Sequence, residues 1–248
     1  MVLLGNAVKA VDDRDALIAK ARVVRSWQET PTTHAVRFTR PAGFDFRPVQ
    51  FVGLELETDE GGIEYSMSLA SSPTRDYLEF GARIASGTPW KRAFAALREG
   101  DEAEIDGPYG HFVLDESRPA VFVAGGIGIT PLKGMIAYAT DRRLPIDLTL
   151  LYSNRGPDEV AFGSELDDLQ RANPRLRVVH TMTRLGPGSP WTGRVGRIGE
   201  ALLREFHQPE ALYYVCGQPG MVADGAQTLL RLGVDRARIR YEQFWGYE

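Results

Sequence analysis

Short stretches that alternate hydrophobic and polar residues fill the first half of the chain. They cover residues 21–27, 34–40, 50–58, 78–84 and 101–107, and Pro, Gly and Asp residues separate them. This period of two predicts strands with one apolar face. Several short strands of this kind are typical of an antiparallel barrel or sandwich.

One helical segment interrupts these strands at residues 89–98. Thr88 precedes Pro89, which gives an N-cap residue followed by proline at the first helical position. Gly100 stands where a helix of this length commonly ends. The first half is therefore predicted to be a strand-rich domain with a single helix.

The second half has a different rhythm, in which strands and helices alternate. Residues 119–125 form a continuous apolar run, as expected of a strand buried on both faces. Four more strands and four helices are predicted in alternation after it. The strands cover residues 146–154, 176–183, 211–217 and 239–244, and the helices residues 131–140, 161–172, 198–206 and 220–232. This order predicts a doubly wound α/β domain with helices on both faces of a parallel sheet.

A chain of 248 residues is long enough for two domains of this size. The polar, proline-bearing segment Asp115–Arg118 separates the two rhythms and is the expected boundary. We therefore expect an N-terminal extension at residues 1–19, a first domain at residues 20–115 and a second at residues 116–248.

Composition and charge narrow the class of protein. The net charge of −4 gives no support to binding of nucleic acid or of an anionic membrane. No apolar stretch approaches the roughly 20 residues of a membrane span, and the N-terminal apolar run is too short for a signal sequence. The single cysteine, Cys216, forms no internal disulfide, and the four scattered histidines lack metal-ligand spacing. We expect a cytoplasmic protein without an intrinsic metal.

The sharpest local motif is the turn between the first parallel strand and its helix. Gly125, Gly126 and Gly128 follow the buried strand, and Thr130 and Pro131 begin the helix. Glycines allow a tight turn and close approach of the backbone to a ligand, and the helix N-terminus attracts phosphate. The spacing GGxGxTP differs from the usual dinucleotide fingerprint. A tight turn without a ligand is the alternative interpretation.

The motif GGIGITP resembles the pyridine-nucleotide turn of the ferredoxin–NADP reductase family, and four more segments resemble its motifs in the same order. They are Ser68–Pro73, Gly107–Phe112, Cys216–Met221 and Glu242–Tyr247. The resemblance covers about residues 20–248. It implies a six-stranded antiparallel barrel that holds FAD and a five-stranded parallel domain that holds NAD(P), with the nicotinamide entering the cleft between them.

On the flavin side, the resemblance implies that the Ser68 hydroxyl lies near the flavin N5 atom. Tyr65 stands where the family has the arginine that neutralises the flavin pyrophosphate, and Met67 stands where it has a tyrosine that packs on the ring. The remaining residues of this segment that we expect to bind the cofactor are Leu69, Ala70 and Ser71. Alternatively, Ser68 is one polar residue in a turn at the end of a strand.

Without the family arginine, the flavin pyrophosphate needs other partners. Arg83 precedes the turn that opens the helix, and Thr88, Trp90 and Lys91 belong to that turn and the first helical residues. These residues could hold phosphate together with free backbone N–H groups. One fewer bidentate arginine predicts weaker retention of FAD than the family shows. Arg83 is equally well explained as a surface residue paired with an acid.

On the nicotinamide side, the resemblance implies that Cys216 lies against the nicotinamide C4 atom, beside Gly217 and Met221. It would position the ring and would not act as a nucleophile; the alternative is a buried small hydrophobic residue. Glu242 is expected to support the charge change at the flavin and the nicotinamide, unless it is an ordinary acid at the end of a strand. The aromatic terminus contributes Phe244, Trp245 and Tyr247, of which Trp245 or Tyr247 is expected to cover the flavin and swing aside.

The choice of dinucleotide depends on the end of the second parallel strand. Ser153, Asn154 and Arg155 stand there with no acid, whereas NAD-selective sites usually place an acid at this position to bind the ribose. Arg184, which follows the third strand, is a candidate second clamp for a 2′-phosphate. The residues favour NADPH over NADH, and a solvated loop arginine is the alternative for each guanidinium.

These features predict a FAD-dependent NAD(P)H oxidoreductase, in which hydride passes from nicotinamide C4 to flavin N5. Electrons then go to a separate acceptor, such as ferredoxin or flavodoxin, because no iron–sulfur or globin segment is fused. A dioxygenase component and free flavin also remain open as acceptors. The alternative is an electron-transfer subunit of a multicomponent oxygenase that is inactive alone. A simple dehydrogenase is disfavoured because no Tyr-x-x-x-Lys pair is present.

Overall fold

The computed structural model describes residues 16–48 and 50–244. Six antiparallel strands form the first sheet, in the spatial order β4-β3-β6-β1-β2-β5. They are β1 (Leu17–Thr30), β2 (Thr33–Thr39), β3 (Phe51–Thr58), β4 (Gly61–Ser68), β5 (Tyr77–Arg83) and β6 (Glu102–Tyr109). One face of all six strands encloses a single hydrophobic core, which confirms the six-stranded antiparallel domain.

Two features of this sheet differ from the prediction. Strand β4 is missing from the five predicted stretches, although the apolar residues Ile63, Tyr65 and Met67 alternate with polar ones along it. Strand β1 begins at Leu17, so residues 17–19 pair with β6 and belong to the sheet. In the rest of the expected N-terminal extension, residue 16 is described and residues 1–15 lie outside the described residues.

The predicted helix of the first domain is α1 (Pro89–Ala96). The Oγ1 atom of Thr88 accepts a hydrogen bond from the Lys91 N–H group at 3.4 Å, which confirms the N-cap. The helix buries Trp90, Lys91 and Phe94 against the inner face of the sheet. Its amphipathic face therefore completes the first core.

The second sheet is parallel and has the spatial order β10-β9-β8-β7-β11-β12. Its strands are β7 (Ala120–Gly125), β8 (Leu148–Asn154), β9 (Leu176–Met182), β10 (Arg194–Val195), β11 (Leu212–Gly217) and β12 (Ile239–Gln243). Five of them are the strands that the sequence predicts. The sixth, β10, is a two-residue strand at the edge, too short to leave a hydrophobic pattern.

Helices cover both faces of the parallel sheet. They are α2 (Ile129–Asp141), α3 (Gly163–Ala172), α4 (Glu200–Glu205) and α5 (Pro219–Arg231). Helices α2 and α3 pack into one hydrophobic core, and α4 and α5 pack into another. The strand order reverses between β7 and β11, which makes their carboxyl ends the switch point where open α/β sheets bind ligands.

The two domains join through a buried ionic network. The Glu79 carboxylate on β5 is fully buried and pairs with Lys133 of α2 and with Arg37 of β2. Glu165 of α3 completes the network, at 2.6 Å from the Lys133 ammonium and 2.9 Å from the Arg37 guanidinium. The Lys133 ammonium also lies 4.3 Å from the centroid of the Phe162 ring. Buried charges are tolerated only when they are paired in this way.

Helix α2 packs directly on the backbone that follows β4. A Cβ atom built on Gly134 would lie 3.0 Å from the carbonyl oxygen of Leu69 and 3.2 Å from that of Ser71. Only glycine permits this close approach. The helix of one domain is therefore in contact with the segment that carries Ser68 of the other.

The substitution Lys133→Met tests the importance of this network. It leaves Glu79 buried with fewer cations, so we expect the free energy of unfolding to fall by about 3 kcal/mol. Urea denaturation measures the change, and Glu79→Gln in the same chain should restore part of it. Arg171→Ala is the matched control, because it removes an exposed ion pair with Asp168 and should change stability by less than about 1 kcal/mol. Equal losses in the two single variants would contradict the assignment.

Candidate functional site

The glycine turn after β7 is built for close approach to β11. Gly126 has φ +53°, in the left-handed region, and begins a single 3₁₀ turn that ends at Gly128. A Cβ atom on Gly128 would lie 2.4 Å from the carbonyl oxygen of Cys216. Any larger residue would push the turn away from the end of β11, so the spacing of the glycines is a packing requirement.

Met221 covers the same turn from α5. Cβ atoms built on Gly125 and Gly217 would lie 3.0 Å and 2.9 Å from the Met221 sulfur. The thioether therefore occupies the space that two side chains would otherwise fill. Thr130 donates a hydrogen bond to the carbonyl of Ile127 at 3.0 Å, which fixes the first turn of α2. The structure thus brings the GGxGxTP and CGxxxM motifs together.

A cleft of ≈ 510 Å³ lies over the carboxyl ends of the parallel strands, at the switch point. Its walls come from the glycine turn, the ends of β8 and β9, the start of α5, and two residues of the first domain. Residues predicted from sequence that line it are Arg83, Gly125, Gly126, Ser153, Asn154, Arg155, Arg184, Gly217, Met221 and Phe244. Gly128, Thr130 and Pro131 are buried behind the turn and support it from within.

Four arginines line this cleft, namely Arg83, Arg155, Arg184 and Arg197. None of the four guanidinium groups forms an ion pair with any residue of the described ranges. Burial, and then the charge of Arg155, lowers the pKa of Arg83. Cations that repel one another at a cleft without partners are arranged for an anionic ligand.

The first domain contributes Thr32 and Arg83 to the cleft, and the loop between β10 and α4 contributes Arg197. Sequence reasoning missed Thr32 and Arg197, because no motif marks them. For Arg197 the only signal was its place in the glycine-bearing segment 193–199. Arg83, which the sequence predicts to hold the flavin phosphates, lies near Arg155 and Arg184, and its charge also lowers the pKa of Lys91 at the start of α1, after the larger effect of burial.

The cleft also has neutral and acidic groups. The Asn154 side chain is 4% exposed, and its Nδ2 donor has no partner among the described residues. Glu159 and Asp224 line the cleft, and the Thr32 hydroxyl donates a hydrogen bond to Glu159. No acid follows Asn154 directly at the end of β8, where the sequence predicted none.

Ser68, Cys216 and Glu242 meet where the two domains join. Ser68 donates a long hydrogen bond of 3.4 Å to the Glu242 carboxylate. Cys216 on β11 pairs with Glu242 on β12 in the parallel register. Residues separated by 174 positions in the chain thus form one contact, which sequence spacing does not reveal.

Burial controls the ionisation of this cluster. It raises the pKa of Glu242 to about 7, against a smaller opposite effect of the Ser68 hydrogen bond. Burial, and then the Glu242 charge, raises the pKa of the Cys216 thiol well above its usual value. The thiol is therefore neutral near pH 7, which agrees with a positioning residue and argues against a nucleophile.

Several residues expected to bind the flavin are buried in hydrophobic cores. Met67, Leu69 and Trp90 belong to the core of the first domain, and Ala70 belongs to the core shared with α2; all four are at most 3% exposed. Trp90, which the sequence predicts to contact a cofactor, has its indole packed inside the core, and the predicted contact stays a prediction. Its N–H group donates to the carbonyl of Leu54 at 3.1 Å.

The polar residues near the flavin segment are already engaged. Ser71 accepts a hydrogen bond from the Glu79 N–H group at 3.1 Å. The Thr88 hydroxyl caps α1, and the buried Lys91 ammonium donates to Ser86 at 2.8 Å. Tyr65 is stacked on the Trp90 ring. A contact between these side chains and flavin phosphates stays a prediction.

The aromatic terminus is described only in part. Phe244 lines the cleft, and its N–H group donates to the Gly217 carbonyl at 3.0 Å. Trp245 and Tyr247, predicted to cover the flavin, lie outside the described residues.

A glycine turn, a cationic cleft at the switch point and an antiparallel domain beside it together form a two-domain fold with one candidate site. Residues 122–227 match the family described as "Oxidoreductase NAD-binding domain". The resemblance of the chain to the ferredoxin–NADP reductase family is confirmed by relatives of both sequence and structure.

The glycine betaine monooxygenase reductase subunit of Chromohalobacter salexigens is 32% identical over 235 residues, which are 90% of this chain and 63% of that protein. Ferredoxin–NADP reductase B of Sorangium cellulosum is 28% identical over 240 residues, which are 91% of this chain and 97% of that protein. The chain thus spans less than two thirds of the reductase subunit.

Among solved structures, a ferredoxin NADP⁺ reductase from Neisseria gonorrhoeae, with bound FAD and NADP, superimposes with a TM-score of 0.78 at 24% identity. The match covers 91% of this chain and 98% of that one. At this identity the likeness establishes the fold.

Two further features of the described residues concern membrane-spanning helices and metal sites. The longest helices, α2 and α5, have 13 residues each, and no described helix is long and apolar enough to cross a bilayer. No three His, Cys, Asp or Glu residues in the described ranges are grouped to hold a metal ion.

The raised pKa of Glu242 predicts a pH-dependent stability. Its carboxyl binds a proton more tightly in the folded chain, with a pKa of about 7 against 4.5 for an ordinary glutamate. The stabilisation is complete below about pH 4.5 and is lost as the pH rises through about 7. Relative to Glu242→Gln, the wild-type free energy of unfolding should therefore fall across this window, as urea denaturation at several pH values would measure. Parallel profiles for the two proteins would contradict the assignment.

Proposed function

We propose that this chain is an NAD(P)H oxidoreductase that works with a flavin and passes the electrons to another acceptor. The observation that carries the proposal is the meeting of Ser68, Cys216 and Glu242 at the domain junction, beside the dinucleotide cleft. Polar groups of two domains converge there on a place where two ring systems could meet.

The cleft residues fit a pyridine dinucleotide. The glycine turn lets the backbone approach a pyrophosphate, and the first N–H groups of α2 lie behind it. Arg83, Arg155, Arg184 and Arg197 would balance the charge of the phosphates. The unpartnered Asn154 amide provides a donor inside the cleft.

The junction residues fit the ring of a flavin. The Ser68 hydroxyl and the Glu242 carboxyl provide a donor and a titratable acceptor, and Cys216 sets the depth of the pocket behind them. When bound, a flavin such as FAD supplies acceptance of a hydride and release of electrons singly or in pairs. The side chains near α1 fit the flavin phosphates less well, because Tyr65 and Trp90 are uncharged.

The residues of the chain orient the reactants and adjust charge. Because the pKa of Glu242 is about 7, its carboxyl can hold a proton or release it near neutral pH. As a carboxylate it would stabilise the positive charge that forms on an oxidised nicotinamide. Cys216 and the Gly128 contact fix the end of β11 against which that ring would lie.

The arginines support NADPH as the preferred hydride donor. Arg155 and Arg184 follow the ends of neighbouring strands β8 and β9, and the Arg184 N–H group donates to the Arg155 carbonyl at 2.8 Å. Two arginines whose backbones are joined in this way, and which both line the cleft, suit the 2′-phosphate that distinguishes NADPH from NADH.

The relatives support a separate electron acceptor. One relative is named a ferredoxin–NADP reductase and another a reductase subunit of a monooxygenase. We propose that the electron acceptor is a small iron–sulfur or flavin protein. In this chain, residues 20–115 would form the flavin domain and residues 116–248 the dinucleotide domain. We propose a cytoplasmic location. The second candidate is an electron-transfer subunit that is inactive alone, since the chain matches only 63% of that monooxygenase subunit.

A visible spectrum of the purified chain with added FAD, followed by anaerobic titration with NADPH and NADH, tests the proposal. We expect the flavin absorbance to bleach on addition of NADPH, and ferricyanide to be reduced in steady state. Bleaching without turnover of any artificial acceptor would favour the electron-transfer subunit. A flavin that stays oxidised with both nucleotides would refute both candidates.

Substitution of Arg155 and Arg184 tests the preference for NADPH. In Arg155→Gln/Arg184→Gln we expect kcat/KM for NADPH to fall by about tenfold or more, because charge-assisted bonds to phosphate are lost. The value for NADH should change little, because NADH carries no 2′-phosphate. Arg175→Gln, which removes an exposed ion pair with Asp147, is the control. Equal losses for NADPH and NADH would contradict the 2′-phosphate clamp.

A further inference from the structure

An aromatic stack fills the space between β4 and the first turn of α1. The Tyr65 ring lies 4.6 Å from the Trp90 ring with an interplanar angle of 3°. Trp90 in turn lies 5.0 Å from Phe94 at 13°. Position 65 is where the resemblance implies a cation for the flavin pyrophosphate. The structure holds an uncharged ring there, pressed against the start of the helix.

The cations next to this stack are directed elsewhere. Lys91 is 2% exposed and bonded to Ser86. Arg92 donates to the Gly87 carbonyl at 2.6 Å and pairs with Asp59. Arg83 lines the dinucleotide cleft with Arg155 and Arg184. Lys91 and Arg92 are therefore held by protein groups, and Arg83, whose charge also reaches Lys91, faces the dinucleotide cleft.

The hairpin that carries Tyr65 is acidic on its other face. Glu55 and Glu64 are directly opposite each other on β3 and β4. Like charges in such a cross-strand pair are unfavourable, and they raise the local negative potential within a Debye length of about 10 Å. A phosphate placed here would be repelled.

The part of the proposed flavin site that would hold the isoalloxazine ring has no such charge repulsion. Ser68, at the end of the same strand, keeps its hydroxyl toward Glu242 at the junction. The site is therefore equipped to recognise an isoalloxazine ring and is not equipped to hold the phosphates that distinguish FMN and FAD from riboflavin. Without phosphate contacts, affinity for the flavin rests on the ring alone.

Building on the function proposed above, we propose that the flavin is a diffusible substrate of this chain, recognised through its ring and released after reduction. The C4–H bond of NADPH breaks and an N–H bond forms at flavin N5. The nicotinamide is oxidised by two electrons, the flavin is reduced by the same two, and a proton from water completes the dihydroflavin. NADP⁺ and dihydroflavin both leave, and the dihydroflavin carries the electrons to the next acceptor.

The first experiment uses the wild-type chain with riboflavin, FMN and FAD as alternative substrates of NADPH oxidation. We expect the three kcat/KM values to lie within about threefold of one another, as when no charged contact is gained or lost. We also expect desalting to remove most of any bound flavin. A tenfold or greater preference for FAD, with stoichiometric FAD after desalting, would overturn the proposal.

A second measurement detects release directly. The chain, NADPH and riboflavin are placed anaerobically on one side of a dialysis membrane, and cytochrome c on the other. Reduction of cytochrome c that requires both the chain and riboflavin is the expected result, because NADPH also crosses the membrane but needs a flavin mediator to pass single electrons to cytochrome c. Rapid oxidation of NADPH on addition of ferricyanide to the protein side, without any signal across the membrane, would show that reduced flavin stays bound.

The substitution Tyr65→Arg should convert the specificity. It replaces the outer ring of the stack with a guanidinium, so FMN and FAD should become about tenfold better substrates than riboflavin. Ser66→Arg is the matched control, because it adds the same charge one residue later on the exposed face of β4. The control should leave the three flavins equivalent. A shift of equal size in both variants would mean that the stack does not exclude phosphate.

The outcomes distinguish failure of flavin exchange from failure of the proposed oxidoreductase function. If neither NADPH nor NADH reduces any flavin, the oxidoreductase function fails and flavin exchange fails with it. If NADPH reduces FAD that stays bound, the function stands and only the exchange is wrong. Should Tyr65→Arg fail to fold, the comparison of riboflavin with FAD on the wild-type chain still decides.

Discussion

The fully buried Glu79 carboxylate is the constraint on which the joint between the domains depends. It stands on β5 of the antiparallel sheet and takes a cation from its own domain, Arg37, and one from the other, Lys133. A buried charge without its partners is strongly unfavourable, so the two domains cannot separate or slide without a large loss. Lys133 belongs to α2, and Gly134, the next residue, is in contact with the backbone after Ser68. The ionic pair therefore fixes the distance between the flavin segment and the nucleotide turn.

Close backbone contacts extend this constraint into the site. The Gly128 contact with Cys216 ties the start of α2 to the end of β11, and β11 holds β12 and Glu242 in register. Ser68 reaches Glu242 only because α2 holds both sides in place. Because the joint is rigid, the protein would not need to rearrange when two rings are brought together there. Proteins commonly orient reactants by holding them in such a fixed geometry.

Local patterns predicted most of the fold, and long-range contacts account for what they missed. The cap of α1, the buried strand β7 and the glycine turn are encoded by neighbours in sequence, and all are present. Strand β4 is an exception, because the alternation of its residues 63–68 is local and is sufficient to predict a strand. The position of Arg83 in the dinucleotide cleft depends on how the domains pack, as does the contact of Ser68 with Glu242. The burial of Trp90 follows from the inward face of α1, which a motif comparison does not take into account.

The distribution of positive charge separates the two halves of the site. Four arginines without ion pairs to described residues gather at the dinucleotide cleft, one of them drawn from the flavin domain. The flavin domain keeps aromatic rings at its helix start and carboxylates on its outer hairpin. Under the proposed function, phosphate recognition is concentrated on the ligand that donates hydride, and the acceptor ring is recognised by shape and by hydrogen bonds at the junction. Because charge-assisted hydrogen bonds are roughly twice as strong as neutral ones, this asymmetry would make the dinucleotide the more tightly held partner and the flavin the more weakly held one.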